Sequence, residues 1–222
     1  MTDILKASEP FRFYTRLHLS ELTGLRASTA GELLELVKTV PGASIYHHTH
    51  RFLEQHQHLS PEPPNDFAYW TSNVLGEPEL GERLASIDII QFSTIRSLRD
   101  KIAEVFESYL RHNPAAQTKT VRRGAEFHFI KSNSFVFPLN YCASDLREMA
   151  DILKKITIDS IYFHVFEARL RLEKAGNDFS LWIEKSFGNK KLADAISRLD
   201  PYTHTMEELR NTLVKIIERN IR

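Results

Sequence analysis

Three histidines fall within four positions of the stretch SIYHHTH, as His47, His48 and His50, and Glu54 lies four residues further on. On a helix His47, His50, Glu54 and His58 stand at i, i+3, i+7 and i+11, so they share one face, and imidazole and carboxylate so placed converge on zinc or a similar borderline metal. HxxH with a nearby glutamate is a weak pattern without a fixed third ligand, and no cofactor is implied. The other chemistry within reach is proton transfer. His48 with Asp66, and His164 with Asp178, each join an imidazole to a carboxylate, the residue types that act as general acid and base. The structural alternative is a core histidine whose ring nitrogens are held by a carbonyl or by a carboxylate, for which the repeated acids Asp66/Asp178 or Asp88/Asp200 are the candidates.

A comparison inside the chain weighs these readings. Residues 160–166 read SIYFHVF, so His164 repeats His48 while Phe163 and Phe166 stand where the first stretch has His47 and His50. Laying each residue over the one 116 positions later also matches Phe11 with Phe127, Phe13 with Phe129, Ala27-Ser28 with Ala143-Ser144, Glu32 with Glu148 and Lys38 with Lys154. From Ala27 to His48 there are 8 identities in 22 positions. At an offset of 112 the string NDFxxW recurs (Asn65, Asp66, Phe67, Trp70; Asn177, Asp178, Phe179, Trp182), followed by Gly76/Gly188, Leu80/Leu192 and Asp88/Asp200. At 111, Thr94, Leu98, Arg99 and Glu107 match Thr205, Leu209, Arg210 and Glu218. The matches keep their order, as an internal duplication requires. The expected organisation is an N-terminal tail (1–10), a first helical repeat (11–112), a polar linker (113–126) and a second helical repeat (127–222).

What recurs is what the shared architecture needs. Ile161, His164, Val165, Ala168 and Leu172 form one apolar helical stripe, which turns His164, and by repetition His48, toward the core. Positions that accept histidine in one copy and phenylalanine in the other read first as half-buried aromatic contacts. In NDFxxW the asparagine suits a helix N-cap, the aspartate complements the helix dipole, and the two aromatics anchor the core. Tyr46, Phe67, Trp70, Tyr162, Phe179 and Trp182 are therefore assigned to the repeated core. Arg99 and Arg210 are expected to pair with Asp88 and Asp200. Glu167, Arg169 and Arg171 have no counterpart in the first copy and read as a solvated face.

The elements that must position these groups are mainly helical. Ser28 or Ser144 caps a first helix, the SIY segment begins the next, Asn65 or Asn177 a third ended by Gly76 or Gly188, Leu80 and Leu84 mark a short fourth, and Thr94 or Thr205 starts a long amphipathic fifth. Only the start of each copy looks extended: FHFIKSNSFVF alternates aromatics around a Ser-Asn pair, as in a hairpin, and FRFYTRLHLSEL is less clear and helical at its end. The predicted fold is mainly α: two tandem, similar repeats of about five helices, each with a small β-hairpin-like element at its start, in approximate two-fold pseudosymmetry.

Composition excludes some function classes. With 29 basic and 29 acidic residues the chain has no net field to steer nucleic acid or an anionic membrane toward it, although residues 1–113 carry 11 basic against 15 acidic groups and 114–222 carry 18 against 14. Cys142, alone, makes neither an internal disulfide nor a thiolate cage. No signal-like start or apolar run long enough for a membrane helix is present, and a cytoplasmic location is expected. Walker, GxGxxG, GxSxG, HExxH and paired CxxC motifs are missing.

The combination of SIYxH, NDFxxW and a late Leu-Arg helix, each present twice, resembles an uncharacterised prokaryotic family known as a domain of unknown function. The resemblance runs from Phe11 to the end of the chain, and it implies no activity, substrate or cofactor, so it transfers no functional residue. The function expected from the residues is a cytoplasmic, non-catalytic binding or regulatory module for a protein or small-molecule partner, with a homo-oligomer possible. The alternative is an enzyme, a metal-assisted or acid/base hydrolase using His48 and Asp66, or His164 and Asp178, in the groove between the repeats.

Overall fold

The structure, a computed structural model, describes residues 5–51, 64–172, 176–200 and 205–221. Strand β1 (Phe11–Ala27) precedes helices α1 (Ala30–Thr39) and α2 (Gly42–Tyr46), the latter continuing as a π-helical turn over His47–Arg51. Helix α3 (Asp66–Tyr69) likewise runs on into a π-helical turn, Trp70–Val74, before α4 (Pro78–Ala85), α5 (Ile95–His112) and α6 (Pro114–Thr118). Strand β2 (Phe127–Ala143) opens the second half and leads into α7 (Leu146–Leu153), α8 (Ile158–Val165), α9 (Ala168–Leu172), α10 (Asp178–Phe187), α11 (Lys190–Ser197) and α12 (Met206–Glu218).

The two strands, 17 residues each, form one two-stranded antiparallel sheet. The protein is thus a mixed α/β fold, which corrects the expectation of a mainly α chain with small hairpins. The reason lies in the polar pair read as a turn. Ser132 and Asn133 instead continue β2, where Ser132 Oγ meets His47 Nδ1 at 2.9 Å and Asn133 Nδ2 donates to Glu21 Oε2 at 2.8 Å. Polar side chains held by partners on a ribbon do not interrupt it, because a strand's ladder bonds come from its backbone. Residues 11–22 are strand throughout, without a helical end.

The chain forms two compact units. One gathers the start of β1, up to Leu17, with residues from Ser134 onward; the other gathers the rest of β1, from His18, with the first copy's helices and the start of β2 through Asn133. In the first, Phe11 and Phe13 pack against helices of the second sequence copy: Phe11 lies 5.0 Å from the His164 ring, 5.1 Å from Phe179 and 5.7 Å from Trp182. In the second unit Phe127 lies 4.7 Å from His48, 5.3 Å from Phe67 and 5.9 Å from Trp70. Each copy's opening aromatics therefore complete the core of the other copy's helices. The tryptophans tie down the same segments, Trp182 Nε1 donating to Glu9 O and Trp70 Nε1 to Ala125 O, both at 2.8 Å.

Local sequence explains the helix boundaries. Thr29 and Asp145 cap α1 and α7, one residue after the serines expected there, and Asn65, Asn177, Thr94 and Thr205 cap α3, α10, α5 and α12. Gly188 ends α10 in the left-handed region at φ 64°, open to glycine without strain. Arg99 does not reach for Asp88; it donates to Val40 O, and Arg210 donates to Leu153 O and Ile156 O. A guanidinium at the end of a helix satisfies carbonyls that have no partner along the chain and complements the dipole there.

Phe13 is fully buried, so Phe13→Ala should cost about 3–5 kcal/mol in urea unfolding. Hydrogen exchange should then show protection falling in α8 and α10 of the second sequence copy and not in α1 or α2 of the first.

Candidate functional site

The repeated histidines occupy matching environments. His164 Nδ1 lies 2.7 Å from Asp178 Oδ2, and its Nε2 accepts a hydrogen bond from the Tyr14 backbone N–H at 2.9 Å. His48 Nδ1 lies 2.7 Å from Asp66 Oδ2, and its Nε2 accepts from the Ile130 N–H at 3.0 Å. Tyr14 and Ile130 are themselves 116 positions apart, so the duplicated partner is a main-chain group that no side-chain pattern could reveal. The carboxylate only accepts and the backbone N–H only donates, which places the ring proton on Nδ1 and the lone pair on Nε2. Both rings are buried, and burial holds the His164 pKa below its usual value, against the opposing pull of Asp178. Each imidazole is a neutral clip between a strand and the start of a helix. Neither nitrogen is left to take a substrate proton or to bind a metal.

The remaining histidines point elsewhere. His47 meets Ser132, and His50 stacks on the Tyr46 ring at 5.5 Å and 9°. Both belong to the π-helical turn, whose extra residue per turn removes the shared face that an α-helical i, i+3 spacing creates. Glu54, His56 and His58 lie outside the described residues, and among the described residues no group of three His, Cys, Asp or Glu side chains is close enough to hold a metal ion. Burial, with the neighbouring His48 adding to it, pushes the His47 pKa down to about 4. Of the residues assigned to the repeated core, Phe67, Phe179 and Tyr162 are fully buried and Tyr46, Trp70 and Trp182 nearly so.

The first unit also contains a cleft of about 530 Å³ beside the His164 clip. Phe11, Tyr14, Phe163 and Trp182 give it aromatic walls, Leu181 and Val136 stand partly exposed at it, and Arg12, Arg171 and Asp178 are its charged groups together with Glu9. Arg171 lies over the Phe163 ring at 4.1 Å, donates to Asp178 Oδ2 at 2.5 Å and reaches Phe163 O at 3.3 Å. Arg16 approaches the same ring at 5.6 Å and pairs with Glu167 at 2.5 Å. Glu167 is 1% exposed, which corrects the reading of Glu167 and Arg171 as a solvated face. Burial outweighs the Arg16 charge and pushes the Glu167 carboxyl up to about 7. The only sequence signal for this cluster was that Glu167, Arg169 and Arg171 lack counterparts in the first copy, and it does not disclose Arg12 or Arg16, which arrive from a strand.

If the clip is structural, His164→Ala should lower stability by about 2–4 kcal/mol, because it opens a cavity and strips partners from Asp178 and the Tyr14 N–H. An unchanged urea midpoint would place the histidine outside the supporting framework. The titrations of His47 and Glu167 have opposite signs. His47, held neutral in the fold, contributes stability that is complete above about pH 6.5 and is lost as the pH falls toward 4; the melting temperature of His47→Phe relative to the parent should therefore rise over that descent. Glu167 binds its proton more tightly folded than unfolded, so its contribution declines as the pH rises from about 4.5 to 7, and Glu167→Gln should gain on the parent across that ascent. Differences that stay flat with pH would refute either assignment.

Comparison with known proteins adds a family. A family model described as a family of unknown function, DUF5752, matches residues 8–218. No curated protein matches. The solved structure of OrfY from Thermoproteus tenax is similar over 96% of each chain, at 30% sequence identity and a TM-score of 0.82. Among the described residues no helix is long and apolar enough to cross a membrane. With nearly its whole length matched, the chain belongs to the DUF5752 family of unknown function.

Proposed function

We propose that the protein is a cytoplasmic, non-catalytic module that binds a small-molecule partner in the cleft of its first unit. The observation that carries this reading is the engagement of both nitrogens of His164, and likewise of His48: the residues best suited to acid/base work are already used to join strand to helix. The cleft has the usual make-up of a ligand site, mostly apolar and aromatic walls with a few polar groups, and its size suits a small organic molecule. The balanced total charge argues against nucleic acid or a membrane surface as the partner.

One specific observation favours the enzyme reading, namely that His164 and Asp178 border the same cleft. Catalysis by this pair would require the Tyr14 N–H to release Nε2, leaving a part-buried donor without its partner. The two readings differ in what happens to a bound compound. Purified protein incubated with a cell metabolite extract, washed and denatured, should release a compound that mass spectrometry finds unaltered from the extract. Release of a product absent from the extract, whose formation stops in a folded Asp178→Asn variant, would replace the binding reading with an enzymatic one.

A further inference from the structure

We infer that the cleft of the first unit takes a small organic monocarboxylate with a flat aromatic body; this rests on the binding reading above and names its ligand class. The walls supply the shape. Phe163, Tyr14 and Trp182 line one cavity of about 530 Å³, and such rings favour a planar apolar body in offset or edge contact.

The charges supply the head group. Among the cavity's ionisable side chains, Asp178 is engaged by His164 and Arg171, and Glu9 by Lys185 at 2.8 Å. Arg12 is different: it lines the cavity, is exposed, and makes no ion pair or side-chain hydrogen bond among the described residues. The lining charges balance, Arg12 and Arg171 against Glu9 and Asp178, but Glu9 is already paired with Lys185 outside the cavity and Asp178 with Arg171, so the Arg12 charge is left without an ion-pair partner among the described residues, which matches a monoanion better than a phosphate dianion. A guanidinium presents paired N–H donors in a plane that fits a carboxylate bidentately. The polar parts of the other lining groups are largely committed: Trp182 Nε1 to Glu9 O, and both nitrogens of His164 to the clip. Arg12 is accordingly the anchor for the anionic group, with Arg171, over the Phe163 ring at 4.1 Å, beside it.

The second unit does not repeat this chemistry. By the 116-residue offset, His128 stands for Arg12, Ile130 for Tyr14 and His47 for Phe163. The ligand site is thus a specialisation of one unit on a shared frame.

The test uses the whole chain and isothermal titration with 2-naphthoate and its neutral isostere 2-naphthamide. Naphthoate should bind about tenfold or more tightly than the amide, a discrimination expected for one charge-assisted bidentate contact. Arg12→Gln, an exposed position whose folding is checked by circular dichroism, should bring the two compounds to parity. Leu181→Glu, which adds a further carboxylate at a partly exposed wall, should abolish naphthoate binding while the protein stays folded. Equal affinity for acid and amide in the parent, or no binding of either, would overturn the inference. A neutral or phosphorylated compound released unaltered from the metabolite extract would overturn the ligand class while leaving the binding reading in place.

Discussion

A hydrogen bond from a strand's backbone N–H to a histidine Nε2 organises each unit. Histidine suits the position because a single ring has one donor and one acceptor pointing in opposite directions, so it joins a helix-starting aspartate to a strand without an unpaired polar atom. Neither asparagine nor lysine offers that geometry at the same length inside an aromatic cluster. Around the ring, the paired phenylalanines of the strand, the phenylalanine of NDFxxW and its tryptophan close the space. The tryptophan adds a second tie to the chain just ahead of the strand, at Glu9 or Ala125. Two anchors separated by a few residues set the direction in which the strand enters, and so set which of its side chains face inward.

That frame is the same in both units, and the polar residues built onto it are not. Where the first unit buries the Arg16–Glu167 pair beside Phe163, the 116-residue offset places Ser132, Arg51 and His47 in the second. The buried pair is a net electrostatic burden at neutral pH, since burial weighs more on Glu167 than its arginine relieves. The pair stands beside the aromatic wall of the cleft, where the Arg16 and Arg171 guanidinium groups lie within cation–π distance of Phe163. The second unit solves the same packing problem with a neutral histidine and a serine hydroxyl, and its π-helical turn over His47–Arg51 redirects the side chains of HHTHR.

Membership of a family without an assigned function, and a likeness to OrfY of Thermoproteus tenax across nearly the whole chain, indicate that this architecture is not particular to one sequence. Neither supplies chemistry, so function is carried by the site itself. What separates its groups is availability. A group already satisfied on all sides supports the fold, and a charged group left open in an aromatic cleft is where a ligand can add free energy of binding.

Repetition in the chain, together with local propensity, was enough to establish the helix caps at Asn65, Asn177, Thr94 and Thr205, the glycine stop at 188 and the inward stripe through His164, because each depends on residues close in sequence or on a spacing along one helix. The length of the strands, the exchange of their opening aromatics between copies, the second partner of each histidine and the meeting of Arg12 with Phe163 and Arg171 came only from the folded chain. Those depend on backbone donors and on residues about 150 positions apart, and a backbone N–H is identical at almost every position of a sequence; only the path of the chain decides which one faces a given ring.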